Sequence, residues 1–167
     1  ARFWWVSLFT VFALQGALMW VVSLPVQLGQ VPDEPGFGVL GVIGIVVWAV
    51  GITFEAVGDA QLARFKRDPA NKGLAMDRGL WRYTRHPNYF GDACVWWGIA
   101  LVAAESGLGA IGIIGAVVMT VFLRRVSGVT LLEKSLVKRR PGYEEYAART
   151  SPFVPRPPRA STPPPAT

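Results

Sequence analysis

Residues 3–24 run for 22 positions without a charged side chain, and that stretch decides most of what the chain can become. A helix of roughly 20 apolar residues crosses the hydrocarbon core of a bilayer. Trp4 and Trp5 stand at one end of the run and Trp20 near the other, where interfacial aromatics sit. Two more uncharged runs follow, of 18 residues over 37–54 and 16 over 108–123. Charged residues make up 17% of the chain against 51% hydrophobic, with mean hydropathy +0.34. The usual charged share is about 25%, so an ordinary soluble domain is excluded. Cys94 is the single cysteine, which excludes an internal disulfide and a cysteine metal cluster.

Read in order, Pro25 ends the first span, and residues 26–36 form a turn-rich acidic loop containing Pro32-Asp33-Glu34-Pro35-Gly36. In the second run Gly38, Gly41 and Gly44 recur every third residue. No Lys-Ser/Thr follows them, so close helix packing is a better reading than a phosphate loop. That helix is expected to continue past its apolar part to about Lys66. Pro87 is placed to open a third helix, because a first turn tolerates its missing N–H. The spans are set at about 3–24, 37–60, 88–104 and 108–123. Helical turns are expected over 131–137 and 143–148, within a membrane domain over 1–153. A Pro-rich flexible tail is expected over 154–167. The fold class is therefore all-α and integral to the membrane, with about four transmembrane helices plus a short cytoplasmic C-terminal helical segment. The chain opens Ala-Arg-Phe-Trp-Trp, without a signal-peptide pattern. It is expected to be the C-terminal part of a longer polytopic protein.

Positive charge orients the spans. All 17 Lys and Arg fall at Arg2, within 64–85, or from Arg124 onward. The connections over 25–36 and 105–107 carry none. The positive-inside bias then puts both termini and residues 64–86 in the cytoplasm of an inner or plasma membrane. The net charge of +6 is explained by this border placement, and no nucleic-acid partner is called for.

Between two apolar runs lies Gly79-Leu80-Trp81-Arg82-Tyr83-Thr84-Arg85-His86-Pro87-Asn88-Tyr89-Phe90-Gly91-Asp92, basic, aromatic and carrying the single histidine. Asn88 and Asp92 are four apart on the first turns of the third helix, where free N–H groups and the dipole favour an anion. Arg78, Arg82 and Arg85 precede them and suit bidentate contacts to phosphate. Trp81, Tyr83 and Tyr89 offer flat faces to a base or ring. Glu55, Asp59 and Lys66 share a face of the second helix, and charges at such depth tend to face a cavity or partner. The simpler reading is a basic-aromatic anchor at the bilayer surface, with Glu55 and Asp59 marking the helix end. His86 has no companions at metal-ligand spacing, so no metal is expected. Arg124, Arg125, Glu133, Tyr143 and Tyr146 follow on the same side and are placed to close over a ligand.

The focal stretch, followed by Trp96-Trp97-Gly98 and later by Lys138-Arg139-Arg140-Pro141-Gly142-Tyr143, resembles the C-terminal domain of the steroid 5-alpha-reductase superfamily. It is similar above all to a bacterial branch of membrane proteins, over roughly residues 1–158. The resemblance implies an NADPH-dependent reductase of an activated C=C bond in a steroid, isoprenoid or acyl-lipid substrate. By motif, Glu55 and Asp59 match an Asn/Glu-x-x-x-Asp pair, and Asn88 and Asp92 an Asn-Tyr/Phe-x-Gly-Glu motif. Lys66 stands at a basic cofactor contact. Position 55 is Glu where animal reductases have Asn, and position 92 is Asp rather than Glu. The expected cofactor contacts are Glu55, Asp59, Lys66, Arg78, Arg82, Tyr83, Arg85, His86, Asn88, Tyr89, Asp92, Glu133 and Tyr146, of which the resemblance implies Glu55, Asp59, Lys66, Asn88 and Asp92 and the basic-aromatic pattern suggests the rest. It assigns no catalytic residue, because the ketone-polarising acid and tyrosine belong to the family's N-terminal half.

Arg85-His86-Pro87-x-Tyr89-x-Gly91 also resembles the signature of the isoprenylcysteine and phospholipid methyltransferases, which bind S-adenosylmethionine. Those enzymes follow their last span with a Glu-Glu pair, whereas here Glu133 precedes Lys134. The expectation is an NADPH reductase partnered with the lipid bilayer and a hydrophobic small molecule. An S-adenosylmethionine-dependent methyltransferase and a non-catalytic membrane scaffold are the alternatives.

Overall fold

The computed structural model describes residues 2–31, 37–126 and 128–159. The loop expected at Pro32 to Gly36 and the tail beyond Arg159 lie outside the described residues. Among those described there are helices and turns with no strand, and one isolated parallel bridge joins Thr84 to Ser151.

Helix α1 (Arg2–Ser7) passes through a π-helical stretch (Leu8–Ala13) into α2 (Leu14–Val22). Large apolar side chains along it are open, Trp4 at 76% and Phe9 at 67% exposure. Water would not tolerate such a surface over a whole helix, and lipid does. Pro25 does not simply end this helix. The break falls at Ser23 (ψ 0°), and Pro25 lies in the first turn of a short α3 (Leu24–Leu28), where its missing N–H costs nothing.

Helix α4 (Val39–Arg67) carries Arg64, Lys66 and Arg67 in its last turn, where cations meet the negative end of the dipole. The Asp68 carboxylate accepts from the Ala70 N–H at 2.9 Å, and Asn71 Nδ2 donates to the Phe65 carbonyl at 3.0 Å. Helix α5 (Pro87–Ala104) opens on its proline as expected. A 3-10 turn (Leu108–Gly112) leads into α6 (Ile113–Val121) and a π-helical turn (Phe122–Val126). Helices α7 (Val129–Arg139) and α8 (Tyr143–Arg149) follow.

Among the described residues three helical stretches are long and apolar enough to cross a membrane: Phe3–Val22, Val39–Arg67 and Leu108–Val137. The protein is an all-α membrane protein on this evidence of length and apolarity. Helix α5, the fourth expected span, is not among the three. Its 18 residues begin with Pro87, Asn88 and Asp92, which dilute its apolar part.

The chain divides into two compact units, one of Ala1–Ala49 with Val95–Thr120 and one of Val50–Cys94 with Val121–Thr167. In the first, glycines bring backbones together. A Cβ at Gly44 would lie 2.7 Å from the Gly98 carbonyl oxygen, and one at Gly112 would lie 2.5 Å from Pro25 Cα. Small residues do this work in lipid, where apolar burial gives helices little reason to associate. The Glu105 carboxylate accepts from the Gly41 N–H at 2.6 Å, and Trp97 Nε1 donates to Thr120 Oγ1 at 3.0 Å. In the second unit a Cβ at Gly91 would fall 2.6 Å from the Gly51 oxygen. This unit holds the candidate site.

Candidate functional site

The site is built on the loop before α5. Gly79 turns with φ +59°, a conformation that favours glycine, directly over Gln61. Gln61 Oε1 accepts from the Leu80 N–H at 3.0 Å, and Trp81 Nε1 donates to the Gly58 carbonyl at 3.0 Å. The loop is thus fastened to α4 through both backbone and ring. On its other side runs the segment after α8. The Arg85 N–H donates to the Ser151 carbonyl and the Arg156 N–H to the Tyr83 carbonyl, each at 2.9 Å. Thr84 Oγ1 donates to the Phe153 carbonyl at 2.8 Å. Residues 154–159, expected within a flexible tail, therefore begin as a pinned strap. A further bond from Arg159 N–H to the Arg149 carbonyl, at 2.9 Å, holds its far end.

This backbone holds three ionisable side chains together. Arg85 grips Glu133 of α7 with two bonds, Nε to Oε1 at 2.7 Å and Nη2 to Oε2 at 3.0 Å. His86, 1% exposed, brings Nε2 within 3.2 Å of the same Oε1. A carboxylate only accepts, so this nitrogen carries the proton. Arg85 Nη1 reaches the carbonyls of Thr150, at 2.9 Å, and of Ala147. All three of its side-chain nitrogens are therefore engaged by the protein, which ties α7, α8 and the loop into one cluster. Tyr89 stacks on His86 with ring centres 5.4 Å apart and planes 9° apart.

Arg85 and His86 also line a cavity of about 150 Å³, walled by Leu62, Phe65, Trp81, Leu132 and Leu136 and lined as well by Lys66, Arg140, Tyr143 and Tyr146. A pocket that encloses a whole small-molecule ligand is about 300 Å³ or more, so this cavity has room for no more than one end of one. Tyr146 donates to the Trp81 carbonyl. The Tyr143 hydroxyl is buried and has no hydrogen-bond partner among the described residues. Burial, then the neighbouring Glu133 charge, push that hydroxyl up to about 12, so it keeps its proton. Burial raises Tyr146 as well. A buried hydroxyl without a partner loses about 1–3 kcal/mol.

The thirteen expected contact residues fall in three places. Lys66, Arg85, His86 and Tyr146 line the cavity, with Glu133 holding two of them and Tyr89 backing His86. Asp59 and Asn88 pair elsewhere, Nδ2 to Oδ1 at 3.1 Å. Glu55 lies one turn before Asp59 on α4 with its backbone against Gly91, and Asp92 follows on α5. Arg78 and Arg82 line a separate pocket with Arg149 and Arg159, and Tyr83 is 44% exposed. The contact set left out Tyr143, Arg140, Leu132 and Leu136. Spacing held a signal, since positions 132, 136 and 140 follow at four-residue intervals along one stripe.

The family described as "Protein of unknown function (DUF1295)" matches residues 1–150. The "Probable O-methyltransferase ustE" of Ustilaginoidea virens is 37% identical over 65 residues, 39% of this chain. That alignment spans 22% of the relative's length. No solved structure matches.

Proposed function

The chain belongs to the DUF1295 family, and from that footing we propose that it is a membrane-embedded, S-adenosylmethionine-dependent methyltransferase of a lipophilic small molecule. The observation that carries this is the cluster of Arg85, His86 and Glu133 beside the unpartnered Tyr143 hydroxyl. It joins the Arg-His-Pro signature, in which the chain resembles the membrane methyltransferases, to Glu133, a single acid where those enzymes carry a Glu-Glu pair. The partial likeness to a protein named as an O-methyltransferase points the same way.

The cavity fits one end of such a cofactor. Phe65 and Trp81 give flat apolar walls, Lys66 and Arg140 give positive charge suited to a carboxylate, and Tyr143 gives a donor. When bound, the cofactor supplies an electrophilic methyl group. Trp81 is held in orientation by Gly58, so the wall is set before any ligand arrives. Glu133 holds the protonated nitrogen of His86, which leaves the other ring nitrogen to accept a proton from an acceptor hydroxyl. Arg85 fixes the Glu133 carboxylate by both oxygens and keeps this pair in register.

A second reading rests on a different contact. Asn88 and Asp59, which the resemblance to reductases places at its cofactor motifs, meet at 3.1 Å, and this favours an NADPH-dependent reductase of an activated C=C bond. Titrating the purified protein with each cofactor and following thermal unfolding separates the two. A ligand at 100 times its Kd adds about 2.7 kcal/mol. We expect S-adenosylmethionine to raise the melting temperature, with the rise reduced in Tyr143→Phe. A rise with NADPH alone would replace the first reading by the second, and no rise with either would leave a scaffold.

A further inference from the structure

Arg78 and Arg82 lie away from the cavity that takes Arg85, although sequence spacing groups all three. They line an open pocket of about 500 Å³ together with Arg149, Arg159, Asp77, Gly79, Thr150 and Pro158. Four arginines thus line one pocket with a single acidic residue, Asp77. Arg149 Nη2 pairs with Asp77 Oδ2 at 2.7 Å, and no other ion pair joins this pocket among the described residues. Like charges gathered at one concavity repel, and a bound anion would offset that repulsion.

The pocket is built from fixed backbone rather than from loosely waving chains. Arg78 precedes and Arg82 ends the 3-10 turn Gly79–Arg82, which Gln61 fastens through the Leu80 N–H at 3.0 Å. Arg159 is held by its own N–H on the Arg149 carbonyl at 2.9 Å. Three separately anchored stretches therefore converge their cationic side chains on one space. Forked guanidiniums match the oxygens of a phosphate by paired hydrogen bonds. A sulfonium cofactor has no phosphate and gives these arginines no role.

We propose that Arg78, Arg82 and Arg159, beside the Arg149–Asp77 pair, form a second binding site for a phosphate group. The phosphate is carried either by an anionic lipid headgroup or by a soluble phosphate ester. The site stands apart from the Tyr143 cavity and does not depend on the reading of that cavity.

The test uses the full chain in neutral detergent. Thermal unfolding is followed with glycerol 3-phosphate in one arm, and with mixed micelles of phosphatidic acid or of phosphatidylcholine in the other. A charge-assisted hydrogen bond contributes about 1.5–3 kcal/mol, so Arg78→Ala with Arg82→Ala is expected to weaken binding at least about 100-fold. Arg159→Gln, which leaves its anchoring N–H intact, is expected to weaken it about tenfold. Arg64→Ala with Arg67→Ala removes the same charge from the end of α4 and should change binding by less than about threefold. Stabilisation by phosphatidic acid alone supports the site and assigns it to a headgroup, whereas stabilisation by glycerol 3-phosphate supports it and assigns it to soluble esters. Equal weakening by the two double variants, or no stabilisation by either phosphate, would overturn the proposal.

Discussion

Glu133 holds the cluster through one carboxylate shared between Arg85 and His86. Removing one partner of a buried pair is more damaging than removing both, because a desolvated charge is left behind. Arg85 is 9% exposed, so Glu133→Ala is expected to cost about 3 kcal/mol in reversible unfolding. The double change Arg85→Met with Glu133→Leu is expected to cost less than that single change. Tyr143 makes a pH-dependent prediction. Its hydroxyl is raised from 10.0 to about 12, so the folded state holds the proton more tightly than the unfolded state does. The stability that it contributes is complete below pH 10 and is lost as pH rises through about 12. Melting temperatures measured across that window should fall more steeply for the wild-type chain than for Tyr143→Phe. The sequence placed both residues beside the expected site, but did not show what each of them meets there. Glu133 stands 48 residues from Arg85, and only folding shows which acid meets that arginine.

At the scale of elements, the first unit relies on close backbone approach between α4 and α5. A Cβ at Gly98 would fall 2.6 Å from the Gly44 carbonyl oxygen, a backbone atom that cannot swing aside. Gly98→Ala is therefore expected to cost about 1–3 kcal/mol, as overpacking does. Gly16 has nothing within 4 Å of its Cβ position, and Gly16→Ala should be neutral or slightly stabilising by helix propensity. Thermal unfolding of the two variants side by side checks the contrast. The apolar runs and their punctuation made these elements legible, since length without charge fixes a spanning helix and Pro87 fixes where α5 begins. The break at Ser23 was not legible, because a proline is equally suited to ending one helix or opening the next. The full length of α7 was also hidden. Its charged residues lack the apolar excess that marks a span, and its apolar stripe gains meaning only once it faces a cavity.

Across the whole molecule, the candidate site belongs to one unit, the one assembled from residues 50–94 and 121–167. Sequence reading gathered its basic and aromatic residues into a single patch because they are neighbours along the chain. The fold divides them by side-chain direction. Arg85 turns to Glu133, while Arg78 and Arg82 line a separate pocket with Arg159. Direction within an irregular loop has no period, so spacing does not reveal it. The strap over 151–156 has a consequence in time. Its bonds reach back to Tyr83, Thr84 and Arg85, residues synthesised some seventy positions earlier. At about 5–20 residues per second, those backbone groups wait several seconds for their partners while the ribosome translates the intervening helices. Throughout that interval the nascent loop is open, and a chain that terminated before Ser151 would keep its spanning helices and never close its site.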